Sequence, residues 1–166
     1  MSSWPFSAEG LREMYEGRKA NATARRFARL WSKVFGWGLQ PKRWVTLEVP
    51  GRRTGRPARF PLGMADLDGQ WYLVSMLGEG CNWVKNVRAN GGNAVLWHGR
   101  AKACHLVEVP PEDRAPIIKR YLGQVPGGRP HIRVDRRAPL GEFEAIAPDY
   151  PVFRVTPVSA PASDRA

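Results

Sequence analysis

The chain has 166 residues, 43% hydrophobic and 25% charged, the proportions of one soluble domain able to bury a core. Its longest apolar stretches, such as residues 94–97, fall far short of the about 18 residues that a membrane-spanning helix needs. Two cysteines, Cys81 and Cys104, exclude a disulfide framework and a four-cysteine zinc site.

The net charge of +11 is concentrated rather than spread. Twelve of the 26 Lys/Arg lie between Arg18 and Arg59, where Glu48 is the single acid, and the remainder of the chain is balanced. A localised excess of this kind points to one anionic partner region: nucleic acid, anionic lipid or a polyanionic small molecule. The N-terminus lacks the basic patch and apolar run of a secretory signal, so a cytoplasmic location is expected.

In chain order, residues 1–17 are polar with three acids and read as a mobile arm or a short helix. Within residues 22–36, Phe27, Leu30, Trp31, Val34 and Phe35 recur at i, i+3, i+4, i+7 and i+8, a helical stripe flanked by arginines. Two readings of that helix stay open: a lid packed on the rest of the domain, or a peripheral contact with an anionic membrane face. Residues 44–49 alternate and read as a strand closed by Pro50-Gly51, and residues 59–65 as a second, with Pro61 requiring an edge or a bulge. Asp68-Gly69 predicts a hairpin turn into a strand at residues 71–75. A short helix is expected over residues 82–89, and then a hairpin of residues 94–98 and 101–109 across Gly99-Arg100. Pro110-Pro111-Glu112-Asp113 opens a helix to about residue 122. The Gly-, Pro- and Arg-rich residues 123–149 read as a long loop or lid, residues 152–155 as a final strand and 157–166 as a flexible tail. The organisation is one domain over residues 18–156. Its fold class is α+β or mainly β, a small barrel of about six mostly antiparallel strands with flanking helices.

The turn between the first two strands, Gly51-Arg52-Arg53-Thr54-Gly55-Arg56, is where the chemistry concentrates. Glycines permit positive φ, so backbone N–H groups can converge, and arginines and a hydroxyl add donors suited to phosphate or carboxylate. A solvated basic turn has the same composition. The continuation is more specific: Gly51-Arg-Arg-Thr-Gly55, then Pro61-Leu62, then Ser75, then Trp83-x-x-Asn86-x-x-Ala89-Asn90. This ordered set, over roughly residues 44–109, resembles the deazaflavin (F420)-dependent nitroreductase and quinone reductase family.

The resemblance implies a split β-barrel that binds coenzyme F420 and passes hydride to an electron-poor small-molecule acceptor such as a quinone, nitroaromatic or enone. FMN is the alternative cofactor. It implies that Arg52, Arg53, Thr54, Gly55 and Arg56 hold the phosphate and glutamate tail. Pro61, Leu62, Ser75, Met76, Trp83 and Asn86 would surround the ring. The sequence departs from the family pattern at Ala58, Gly63, Met76 and Val84. A non-catalytic binder of F420 or of a fatty acid is the competing reading, and no specific nucleic acid is expected, since RNP and helix-turn-helix patterns are missing. The protein would work as a monomer or homodimer.

Reduction of a quinone also takes up a proton. Tyr72, Tyr121, His131 and Tyr150 are the available donors, with Tyr121 and Tyr150, which flank the expected lid, as the leading candidates. His98 and His105 fall at opposite ends of the predicted hairpin, which speaks against a metal pair, and Cys104 and His105 point to opposite strand faces.

Overall fold

The computed structural model describes residues 42–158. The expected arm over residues 1–17, the helix over 22–36 and all but the first two residues of the tail therefore lie outside the described residues. No helix among those described is long and apolar enough to cross a membrane.

Six strands follow from the alternation in the sequence: β1 (Trp44–Pro50), β2 (Pro57–Leu67), β3 (Gln70–Val74), β4 (Asn93–His98), β5 (Arg100–Glu108) and β6 (Val152–Pro157). They close an antiparallel barrel in the order β1-β2-β3-β6-β5-β4. Val45, Leu47 and Val49 of β1 point inward with Leu73, Leu96, Leu106 and Phe153. Asp68 and Gly69 both take positive φ, 50° and 75°, as the hairpin turn joining right-twisted strands demands.

The long strand β2 changes partners along its length. Residues 57–63 pair with β1 and residues 64–67 with β3. The Met64 N–H donates to the Arg43 carbonyl at 2.7 Å. Even-numbered residues of β2 therefore turn their backbone groups toward β1, and Arg59, Pro61 and Gly63 turn theirs to an edge that no described strand covers. Pro61 thus stands where its missing N–H leaves no ladder bond unmade, as a proline in a strand requires.

Helix α1 (Asn82–Ala89) matches its expected bounds and sends Trp83, Val84 and Val87 into the barrel core. A second core lies outside the barrel, where α2 (Ala115–Gln124) and α3 (Leu140–Ile146) cover Ala65, Val74 and Val152. Gln124 fastens α2 to β2 by accepting the Asp66 N–H at 3.0 Å and donating to its carboxylate at 2.6 Å.

Two expectations need correction. The helix after Pro110 is split into a 3-10 turn, Pro111–Asp113, and α2, which runs on to Gln124. Arg114 is the joint, because its side chain folds back onto the Val109 carbonyl at 2.8 Å. The segment 123–149 is not one long loop. It ends in α3, whose Phe143 is fully buried, and Lys119 of α2 braces the approach by donating to the Ala138 carbonyl at 2.8 Å. The high density of Gly, Pro and Arg before residue 139 hides a short helix whose stability comes from packing rather than propensity.

If α3 is core rather than lid, Phe143→Ala should destabilise the fold by about 3–5 kcal/mol in urea unfolding. A loss under about 1 kcal/mol would return this segment to the status of a loose cover.

Candidate functional site

The basic turn is organised by its own backbone. Gly51 N–H donates to the Arg56 carbonyl and Gly55 N–H to the Gly51 carbonyl, both at 2.8 Å. Gly55 has φ of +67°, and a Cβ there would meet nothing within 4 Å, so the glycine is needed for conformation and not for space. Gly51 is needed for space: a Cβ there would stand 2.9 Å from Thr54 Oγ1, the atom that accepts the Arg56 N–H at 3.2 Å.

One side chain docks this turn on α1. Asn86 Oδ1 accepts both the Arg52 N–H at 3.2 Å and its guanidinium at 3.0 Å, and Asn86 is 4% exposed. The same guanidinium reaches Asn82 Oδ1, at the first residue of α1, at 3.4 Å. That helix end carries no acid in its first turn and no side-chain cap bond. The positive end of the α1 dipole therefore lies beside a basic turn, with nothing in the first turn of α1 to neutralise either.

Charge pairing separates the arginines into two kinds. Arg59 pairs with Glu48 at 2.6 Å and stacks over Trp97 on the outer barrel face, and Arg43 pairs with Asp66 at 3.6 Å. Arg52, Arg53 and Arg56 are exposed and have no ion pair among the described residues. Among the described arginines of the basic segment, those without an ion pair are therefore the three of the turn.

The remaining predicted residues divide between core and cavity. Leu62 is partly buried against the barrel core, and Trp83, 4% exposed, packs its ring 5.5 Å from that of Phe153. Pro61 lies on the outer face at the uncovered edge. Ser75 is fully buried and donates to the Gly78 carbonyl at 2.7 Å. Met76 lines a cavity of about 360 Å³ together with Leu77, Gly78, Glu79, Pro130, His131, Arg133, Asp149 and Tyr150. Two walls meet there. Gly78, at φ of +83°, comes so close to the other wall that a Cβ would be 3.1 Å from the Asp149 carbonyl.

Of the candidate proton donors, the structure brings Tyr150 and His131 to the cavity. Tyr150 donates from its hydroxyl to the His131 carbonyl at 3.3 Å. Tyr121 does not line the cavity. It is 3% exposed, packs over Gly128, and burial pushes its phenol well up, which suits a packing residue and not an acid. Tyr72 packs against the outer core.

Around the cavity the carboxylates are paired. Arg88 beside Glu79 holds that carboxyl below its ordinary value, and Arg133 pairs with Asp149. Composition did not reveal these partners, because Glu79, Arg88, Arg133 and Asp149 belong to the charge-balanced part of the chain. The nearest sequence signal was Gly78 beside Glu79, a turn glycine next to an acid.

Position 63, where Gly follows Pro61-Leu62, is occupied space. A Cβ there would sit 2.8 Å from a Val125 methyl and 3.0 Å from the Trp44 ring. His98 and His105 bond separately, to the Trp44 carbonyl at 3.0 Å and to Asn93 Oδ1 at 3.4 Å, at opposite ends of the hairpin. Among the described residues no three His, Cys, Asp or Glu cluster for a metal.

A family model described as F420H(2)-dependent quinone reductase matches residues 18–140. No curated protein matches the chain. Among solved structures, a protein of unknown function from Agrobacterium tumefaciens superposes with a TM-score of 0.51 at 13% identity, over 75% of this chain and 52% of that one. A conserved hypothetical protein from Mycobacterium tuberculosis gives 0.50 at 13% identity, over 76% and 80%. A structure described as an F420-H2 dependent reductase gives 0.46 at 21% identity, over 69% and 94%. The first two share the fold.

Burial raises both thiols, Cys104 to about 11 and Cys81 in the same direction. Near neutral pH both are therefore thiols and not thiolates, and the native protein should react slowly with a disulfide reagent, faster as pH rises. Rapid release of one thiol equivalent at neutral pH would show that an activated cysteine exists.

Proposed function

Because the chain belongs to the F420H(2)-dependent quinone reductase family, we propose that the turn at residues 51–56 holds the phosphate and glutamates of coenzyme F420 and that the adjoining cavity receives a quinone-like acceptor. The protein is an F420-dependent oxidoreductase. That family membership sets aside the non-catalytic binder.

The observation that carries the assignment is the turn docked on α1. It offers three arginines without ion pairs among the described residues, the Thr54 hydroxyl and a helix N-terminus with no acid in its first turn, a donor set that fits a phosphodiester followed by carboxylates. When bound, the deazaflavin supplies the hydride. The chain's own residues bind, orient and exclude water. Arg53 and Arg56 reach outward to the anionic tail. Arg52, held by Asn86, contributes a fixed guanidinium and not a flexible one, so less entropy is lost on binding. Pro61 lines the approach along the uncovered β2 edge, and Leu62 supports it from the barrel core. Ser75 shapes the segment from 75 to 81 through Gly78, and Met76 lines the cavity. Trp83 acts from within the core by fixing α1.

Tyr150 is the group placed to give the proton that accompanies hydride uptake by a quinone. Its hydroxyl is anchored at the cavity wall, while the paired carboxylates leave no net charge to repel an uncharged acceptor. Nitroaromatic and enone acceptors satisfy the same chemistry and are distinguished by the acceptor screen.

Fluorescence titration with F420 and FMN tests the cofactor assignment. F420 should bind more tightly than FMN, and Arg53→Ala should weaken F420 about tenfold or more, the loss of one charge-assisted contact. Equal affinity for FMN, or an unchanged constant in Arg53→Ala, would contradict it. For the proton, Tyr150→Phe should lower quinone turnover about a hundredfold and alter its pH profile, and Tyr121→Phe should affect stability alone. The reverse pattern would move the proton to Tyr121.

A further inference from the structure

The two walls of the cavity come from distant parts of the chain, and a line of ion pairs runs behind both. On one side Glu79 belongs to the segment that leads into α1. Arg88, on the last turn of α1, donates to both Glu79 oxygens, at 2.6 and 3.2 Å. It also donates to both oxygens of Glu108 at the end of β5, at 3.0 and 2.5 Å. Glu108 accepts in turn from Arg114 at 3.2 Å. Arg114 then reaches the opposite wall, donating to the carbonyls of Ala147, Pro148 and Tyr150 at 3.4–3.5 Å.

Arg114 is the costly member. Its side chain is 5% exposed, and a buried cation is tolerated only with a full shell of partners. The Val109 carbonyl and Glu108 complete that shell. Apolar side chains would hold the same elements together with less desolvation. An ionic chain adds direction: each guanidinium fixes the angle as well as the distance of the group it binds.

We propose that Arg88, Glu108 and Arg114 are positioning residues for the acceptor, a guanidinium–carboxylate relay that sets the separation of the cavity walls and holds Tyr150 at its place. The proposal rests on the reading of the cavity as the acceptor site. Removing Arg88 frees the Glu79 wall and leaves two carboxylates facing each other, so the cavity loses its shape while the turn docked by Asn86 keeps its own. Arg88 is half exposed, and its replacement leaves both cores packed.

The test measures steady-state kinetics with menadione, F420 affinity by fluorescence, and thermal unfolding, in four variants of the full chain. Pro130→Trp fills the cavity directly and should raise the KM for menadione. Arg88→Met should raise KM about ten- to a hundredfold with F420 affinity within about twofold of the parent. Arg88→Lys should recover part of the loss, and Arg88→Met/Glu79→Gln should recover more by removing the unpaired carboxylate. If Pro130→Trp leaves KM unchanged, the acceptor is elsewhere and the reading beneath the proposal falls. If Pro130→Trp raises KM but Arg88→Met alters only thermal stability, or weakens F420 equally, the relay is a structural brace and the proposal is overturned.

Discussion

A single buried amide fixes the basic turn against the flank of α1. Asn86 accepts from both the backbone and the guanidinium of Arg52, and so welds a basic turn that would otherwise be solvated to the flank of α1. Without that dock the turn would be one more charged hairpin. With it, Arg52, Arg53 and Arg56 stand beside an uncapped helix N-terminus, and their fields add where a ligand of several negative charges would lie.

The dock depends on the barrel and the barrel depends on α1. Trp83, Val84 and Val87 fill the barrel interior, which fixes the rotation of the helix and turns Asn82 and Asn86 toward the turn and Arg88 toward Glu79 and Glu108. The same eight-residue helix thus serves the turn with one face and the cavity with another. The tight knot at residues 75–81, tied by Ser75 to Gly78 and by the Ser75 N–H to the Pro151 carbonyl at 2.8 Å, joins the two regions through the shortest path the chain offers.

What could be read in the sequence was what local chemistry controls. The Asp68-Gly69 turn, the bounds of α1, the alternating strands and the edge position of Pro61 each follow from the residues concerned. The basic turn was visible too, although the charge count overstated it: Arg43 and Arg59 find carboxylates that only the folded sheet brings near. The cavity was not legible, because residues 76–79 meet residues 130–133 and 149–150 only through tertiary packing. Nor was the buried role of Arg114, an arginine in a charge-balanced stretch, or the helix α3, which Phe143 stabilises from the core side. Between the two tyrosines the sequence had no means of choosing. Both are buried in the outer core, and what distinguishes them is that Tyr150 also lines the cavity while Tyr121 does not.

The central claim is that the turn and the first residues of α1 act together as one anion cradle. Hydrogen exchange followed residue by residue, with and without F420, tests it most directly. The account predicts that F420 protects the amides of residues 53–56 and of the start of α1 together, and that Asn86→Ala abolishes both protections at once. Protection confined to the cavity segments, with the turn exchanging as fast as in the free protein, would contradict it.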